Sequence, residues 1–219
     1  GISTGKIDSI CYEFINDNGA HSAPLFYRGF PKSCCTSTNH IVCHGIPSNK
    51  ILKEGDIVNV DVTALKEGWH GDTSRMFEVG EISVKAKKLI NTTHEAMMKA
   101  IKIIKNGIHL GDIGSTIQTH VESNGFSVVQ DFCGHGIGES FHKAPNVLHY
   151  GKKGTGEKIK TGMIFTIEPM INLGSYETKT LNDGWTAVTK DKSLSAQFEH
   201  TIGVTNNGYE IFTQSSQTF

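Results

Sequence analysis

The chain repeats itself, and that repeat limits its fold more than any other feature. Gly1-Ile2-x-x-Gly5-x-Ile7 returns 106 residues later as Gly107-Ile108-x-x-Gly111-x-Ile113, and Asn18-Gly19 returns at the same spacing as Asn124-Gly125. Further on, Lys53-x-Gly55-x-Ile57-Val58-Asn59-Val60-Asp61 matches Lys160-x-Gly162-x-Ile164-Phe165-Thr166-Ile167-Glu168, here 107 residues apart. The matches are collinear and include acidic residues, which marks one duplicated unit rather than chance pairing of glycines. Asp61 and Glu168 therefore hold equivalent places in two halves. Each half has a second acid downstream, Asp72 after Asp61 and Glu199 after Glu168. Four carboxylates placed by a duplication suggest two half-sites converging on one centre.

The first acid lies in an alternating stretch. Val58, Val60 and Val62 belong to one face of a strand, and Asn59, Asp61 and Thr63 to the other. An acid inside a β-branched run is costly to bury unless something cationic meets it. Helices are predicted over 5–17, over 84–105 with Ser83 as cap, and over 113–123 with Asp112 as cap. Strands are predicted over 36–43, around Asp61, and over 70–79, 126–132, 163–168, 185–189 and 196–205. Lys66-Glu67-Gly68 reads as a turn, and 24–35 as loops with short strands. Glu168 and Glu199 are 31 positions apart, against 11 for Asp61 and Asp72, so the second half carries an extra excursion holding Tyr176 and Trp185. The helix over 84–105 precedes the second Gly-Ile unit, and the repeat expects a counterpart ahead of Gly1. The chain reads as one catalytic domain, 1–219, built of halves of about 1–83 and 84–219.

Charge is balanced, with 21 basic and 22 acidic residues and no basic stripe, so nothing argues for a nucleic-acid partner. No apolar run approaches the ~18 residues of a membrane span. The five cysteines are Cys11, Cys34, Cys35, Cys43 and Cys133. Their odd number and the lack of a C-x-x-C pair read as reduced thiols in a cytoplasmic protein, not a disulfide frame or zinc knuckle.

Asp61, Asp72, His135, Glu168 and Glu199 are the candidate metal ligands. His135 stands in Cys133-Gly134-His135-Gly136-Ile137-Gly138, where small neighbours let backbone and substrate approach closely. Carboxylates and one imidazole are hard to borderline donors that suit Co, Mn, Fe(II) or Zn. Four negative charges call for two divalent ions, which carboxylates can bridge at ~3.5–4 Å around a shared hydroxide. His44 and His142 are candidates to donate hydrogen bonds to a peptide carbonyl or a leaving nitrogen. His70 shares a strand face with Asp72 and is a weaker supporting candidate, whereas His200 alternates away from Glu199.

Six motifs carry a resemblance across essentially the whole chain. They are Cys43-His44-Gly45-Ile46-Pro47, Asn59-Val60-Asp61-Val62-Thr63, His70-Gly71-Asp72-Thr73, Gly134-His135-Gly136-Ile137-Gly138, Phe165-Thr166-Ile167-Glu168-Pro169-Met170 and Gln197-Phe198-Glu199-His200-Thr201. In these the sequence resembles the type I methionine aminopeptidases, of bacterial or organellar form, with the pita-bread fold. The resemblance implies an α+β fold: duplicated α/β halves with pseudo-two-fold symmetry around a curved antiparallel sheet. It implies metal-dependent hydrolytic removal of the initiator methionine from nascent proteins with a small second residue. Asp72 and Glu199 would bridge two divalent ions, Asp61 would complete one, and His135 and Glu168 the other. His142 would bind the scissile carbonyl, His44 the scissile amide or departing nitrogen, and Glu168 would also shuttle a proton. Tyr27, Phe30, Cys35, Phe141 and Trp185 would wall the methionine pocket, with Phe30 where a tyrosine is common. The implied partners are peptide or nascent-protein N-termini, at the ribosome, for a monomer that binds no membrane. Proline-directed peptidases of the same fold usually carry a double-histidine signature that this chain lacks. Non-catalytic, peptide-binding relatives have typically lost ligands that this chain keeps.

Overall fold

A computed structural model describes residues 1–215. In chain order its elements are α1 (Thr4–Asp17), β1 (His21–Ser22), a 3-10 turn (Tyr27–Gly29), β2 (Cys35–Thr38), β3 (Ile41–Cys43), β4 (Ile57–Lys66) and β5 (Trp69–Glu78). Then come α2 (Val84–Lys102), α3 (Leu110–Ser123), β6 (Ser127–Val128), β7 (Gly134–Gly136), β8 (Lys143–Val147), β9 (Ile164–Ile167) and β10 (Met170–Asn172). The chain continues through β11 (Thr178–Thr180), β12 (Ala187–Thr189), β13 (Ser195–Gln197), β14 (Glu199–Thr205) and β15 (Gly208–Ile211).

The main sheet runs β1-β4-β5-β14-β9-β7-β8, with β2 also on β4 and β15 also on β14. Its pairings are all antiparallel. The duplication is visible in this order. The hairpin β4–β5 of the first half and the pair β9–β14 of the second lie back to back. They meet where Glu199 faces Ser74 and His200 faces Thr73. The repeated sequence signals do the same physical job twice. Gly55 and Gly162, just before β4 and β9, both sit at φ +90°, a backbone that only glycine adopts cheaply. Gly5 and Gly111 both let a helix start press on a loop backbone. Gly5 donates its amide to Ser48 O at 2.6 Å, and Gly111 donates to Thr155 O at 2.9 Å.

Two expected strands each divide in two. Residues 36–43 turn at Asn39, which adopts φ +57° and is pinned by bonds from its amide to Asp56 Oδ1 and from Ile57 N to its Oδ1. So β2 joins β4, while β3 leaves for a separate three-stranded sheet with β12 and β11. Residues 196–205 divide at Phe198, sending β13 to a sheet with β10 and β6 and β14 to the main sheet. The third helix starts before 113. His109 is its N-cap, and Asp112 accepts from His109 N at 2.8 Å, closing the first turn from inside rather than capping it. The helix from 84 stops at Lys102, short of 105, and Ser83 does cap it, accepting from Ala86 N. The expected strand over 126–132 is only β6, and β7, β8, β10, β11 and β15 had no clear alternation to reveal them.

The core lies mainly where α2 and α3 pack on each other and on the second-half strands. Leu89, Ile90, Met97 and Ile101 of α2 meet Ile113 and Ile117 of α3, together with Phe165, Ile167 and Ile202, and all are buried. Each such side chain contributes roughly 1.5–3 kcal/mol on leaving water. This leaves the Asn59-Asp61-Thr63 face of β4 free to serve something other than the core.

A Cβ on Gly111 would stand 2.5 Å from both Lys152 O and Thr155 Oγ1. Gly111→Ala is therefore expected to cost about 1–3 kcal/mol, with Tm lowered by several degrees in thermal denaturation. An unchanged Tm would mean that α3 does not need this close approach.

Candidate active site

Five adjacent strands of the main sheet each bring one side chain to the same spot. In sheet order they are Asp61 on β4, Asp72 on β5, Glu199 on β14, Glu168 just past the end of β9, and His135 on β7. Ligand-type atoms of Asp72, His135 and Glu199 all lie within 4.8 Å of one another. His135 Nε2 stands 3.6 Å from Asp72 Oδ2 and 3.7 Å from Glu168 Oε1.

The backbone and neighbouring polar groups fix each of these groups. Thr63 donates to Asp72 Oδ1 at 2.6 Å, and Thr201 Oγ1 both accepts from Asp72 N and donates to Asp72 O. Thr166 donates to Glu168 Oε1 at 2.8 Å, and its hydroxyl accepts from His135 N at 3.0 Å. Gln197 Nε2 donates to Glu168 Oε2 at 3.3 Å, and Glu168 N donates to the buried His149 Nε2. His135 Nδ1 lies 3.1 Å from Gly136 O; donation to that carbonyl leaves Nε2 facing the acids.

Electrostatics shows the strain of this gathering. Burial, then the charges of Asp72 and Glu168, push the Asp61 carboxyl well above its ordinary range. Burial and the surrounding acids do the same to Glu199. Glu168 is pushed up to about 7 by burial, with Asp72 adding to the rise and His135 opposing it. Burial pulls His135 down, but its bond to Asp72 and the charges of Glu168 and Asp72 outweigh this and raise it. The Glu199 side chain is buried, and its Oε1 has no hydrogen-bond partner. A buried carboxylate oxygen without a donor is costly. An oxygen-rich, crowded, under-satisfied cluster of this kind fits divalent cations.

The cluster lines a cavity of about 540 Å³. Tyr27, Phe30, Cys35, His44, Phe141, His142 and Trp185 line the same cavity, so all twelve residues singled out in the sequence meet there. Tyr27 stands on the 3-10 turn, with ring centroids 4.8 Å from Phe141 and 5.2 Å from His142. Its hydroxyl lies 3.1 Å from His142 Nδ1. The His142 ring is 4.1 Å from that of His135. Trp185 meets Phe30 edge-on at 5.2 Å. Cys35 sits opposite Asp61 in the β2–β4 register. His44 has φ +56° and packs edge-on against Phe132 and Trp185. Burial lowers His44, and burial with the nearby His135 lowers His142 to about 4, so both rings are neutral near pH 7.

His70 does not reach Asp72. It bonds Gly138 O through Nδ1 and stacks on Phe141 at 5.6 Å, so it braces the cavity wall. His200 turns to the other face and bonds Thr213. Sequence reasoning missed Asn59, Thr63, Thr166, Gln197 and Thr201. All stand two residues from an acid of the cluster, on the same strand face, so the two-residue period was the signal available. His149 carried no such signal.

The family model described as metallopeptidase family M24 matches residues 1–206. The chain is 57% identical to the methionine aminopeptidase of Rickettsia prowazekii over 215 residues, 98% of this chain and 83% of that protein. It is 55% identical to the methionine aminopeptidase of Escherichia coli K12, over 97% of this chain and 81% of that one. The Rickettsia prowazekii crystal structure superposes with TM-score 0.96 at 56% identity, covering 97% of this chain and 86% of that one. The Thermotoga maritima methionine aminopeptidase gives TM-score 0.97 at 42% identity, covering 98% of this chain and 87% of that one. The prolidase of Pyrococcus furiosus, at TM-score 0.78 and 22% identity, shares the fold alone, covering 99% of this chain and 57% of that one. This is the pita-bread fold. The duplicated sequence, the curved sheet order and the five converging side chains thus have a common origin: the chain belongs to metallopeptidase family M24.

Proposed function

We propose that this protein is a metal-dependent aminopeptidase that removes the N-terminal methionine from peptides and nascent proteins whose second residue is small. The observation that carries the reading is that one cavity holds both the acid and histidine cluster and the apolar, polarisable side chains of Tyr27, Phe30, Cys35, Phe141 and Trp185, which suit an unbranched thioether. The methionine aminopeptidases at 55–57% identity support the same substrate.

Asp61, Asp72, His135, Glu168 and Glu199 would hold two divalent ions. Such ions, from among Co, Mn, Fe(II) and Zn, polarise a scissile carbonyl and supply a nucleophilic water near neutral pH. Glu168, near 7 and held by Thr166 and Gln197, is matched to carrying a proton toward the leaving amine. The Tyr27 hydroxyl, 3.1 Å from His142 Nδ1, orients the ring to present Nε2 to the substrate carbonyl oxygen as negative charge develops there. His44 is placed to meet the scissile amide. Work on nascent chains in the cytoplasm agrees with five free cysteines and with the lack, among the described residues, of a helix able to cross a membrane.

The direct test is release of free methionine from Met-Ala-Ser and Met-Leu-Ser, with chelator and with added Mn or Co. Cleavage of the first alone, abolished by chelator and restored by metal, is expected. Equal cleavage of both would remove the small-second-residue rule, and no cleavage of either would overturn the assignment.

Two variants separate metal holding from carbonyl binding. Glu199→Ala is expected to lower the bound metal on elemental analysis and to reduce turnover to background. His142→Ala should keep its metal and lose about 10²–10³ in kcat. Metal loss in the His142 variant would make it a ligand instead.

The crowded acids also predict how pH acts on the chelated protein. Carboxyls raised on folding stabilise the fold below their ordinary values and lose that contribution as pH climbs through their folded values. For Glu168 this window runs from 4.5 to about 7, and the raised His135 acts in the same direction above 6.5. Below pH 6.5 the lowered His44 and His142 act in the opposite sense, so the comparison belongs above it: the chelated protein should melt at a lower temperature at pH 8.5 than at pH 7, with added Mn restoring most of the difference. A Tm that rises with pH in chelator would contradict the repulsion.

A further inference from the structure

Outside the cavity, the structure brings two thiols together without an assigned role. Asp8 and Cys11 lie three residues apart on α1, hence on one helix face. That face meets the segment Ser33–Cys34. Asp8 Oδ1 accepts from Ser33 N at 2.8 Å, from Cys34 N at 3.2 Å and from the Cys34 thiol at 3.8 Å. Lys32 Nζ balances the other Asp8 oxygen at 3.7 Å. Cys11, one turn along from Asp8 on that face, and the Cys34 thiol thus flank the same Asp8 carboxylate. Cys11 is partly exposed and Cys34 is fully buried.

We infer that Cys11 and Cys34 are a peroxide-sensitive thiol pair, in which exposed Cys11 reacts with the oxidant and buried Cys34 resolves it as a reversible disulfide. Two features favour this order. The Cys34 side chain holds the Cys11 thiol below its ordinary value, against burial and the Asp8 charge. The Cys11 side chain, with burial, pushes Cys34 far up, so Cys34 keeps its proton until a partner sulfur is presented. Burial pushes up Cys35, Cys43 and Cys133, so Cys11 alone of the five combines partial exposure, a lowered thiol and a nearby second thiol.

The chemistry balances with hydrogen peroxide as oxidant. The Cys11 thiolate attacks one peroxide oxygen, the O–O bond breaks, and Cys11 sulfenic acid and hydroxide result. The Cys34 sulfur then attacks the sulfenic sulfur. The S–S bond forms, the S–O bond breaks, and the departing hydroxide leaves as water with the Cys34 proton. In sum, two thiols lose two electrons and two protons, and peroxide becomes two waters. The product ties α1 to the segment leading from Phe30 to Cys35. Neither sulfur lines the cavity.

The test uses the Mn-loaded chain of residues 1–219, treated with a small excess of hydrogen peroxide, alkylated and mapped by mass spectrometry without reduction. A Cys11–Cys34 linked peptide is expected, with three alkylated thiols in place of five. Dithiothreitol should reverse it, and Tm should rise by about 5–10 °C while the link is present. Under the same treatment Cys11→Ser should keep all its remaining thiols. Cys34→Ala should stop at a Cys11 sulfenic acid that dimedone traps. Five alkylated thiols in the treated wild type would overturn the proposal. So would Cys11 sulfinic acid beside an alkylated Cys34, or thiol loss that persists in Cys11→Ser. The wild-type map decides the matter even where a variant folds poorly.

Discussion

Repulsion among four buried carboxylates is the constraint around which the rest of the structure is arranged. At separations of a few ångströms, in a medium poorer than water at screening charge, like charges cost several kcal/mol unless protons or cations intervene. Burial first, and the neighbouring acids after it, raise the carboxyls of Asp61, Glu168 and Glu199. A chain could lessen it by letting the acids drift apart. Here it does not, because each acid is fixed to a different, hydrogen-bonded strand of one sheet. Strand spacing, not side-chain choice, sets how close they come. A divalent ion then finds its donors already gathered, and the ordering cost of bringing them together is met during folding.

Holding acids this way also needs supports that do not move. The two-residue period of a strand supplies them without further topology. Thr63 stands two residues from Asp61 and Thr201 two from Glu199, and both bond Asp72 on the strand between; Thr166 and Gln197, two residues from Glu168 and Glu199, both donate to Glu168. Hydroxyls and amides suit the task because they donate to a carboxylate yet add no charge. The consequence is an inverted strand: the polar side of β4 is buried at the cavity, with Asn59 and Thr63 at 2% exposure, while Val60 and Val62 are only half-buried. A hydropathy reading that assumes apolar-inward alternation assigns such a strand the wrong way round.

What was legible in the sequence follows from this physics. The repeated Gly and acidic positions are visible because the backbone at Gly55 and Gly162 needs glycine and because Asp61 and Glu168 are acids set among apolar strand residues. Helix α2 was legible from its apolar period and the Ser83 cap, as was the long hairpin β4–β5. The short strands were not. β7 is Gly134-His135-Gly136, a strand through its pairing with β8 and β9 and not through its composition. The break at Asn39 depends on Asp56, 17 residues away, which local patterning cannot see. His149 supports Glu168 from a distant loop and carries no mark in its own neighbourhood. Local rules see what one segment needs. They do not see what a distant segment lends.

The residues lining the cavity rest on different kinds of structure, and this bears on how such a fold diversifies. The acids and His135 stand on or at the ends of paired strands. Tyr27 rides a 3-10 turn, Phe141 and His142 lie between β7 and β8, and Trp185 lies between β11 and β12. Connecting segments change at lower cost than paired strands, because fewer backbone bonds depend on them. The sheet is retained in the Pyrococcus furiosus prolidase at 22% identity, while that chain is much longer than this one. In this chain the paired strands carry the acids, His135 and Cys35, and the connections carry Tyr27, Phe141, His142 and Trp185, all within one cavity that an N-terminal residue can enter.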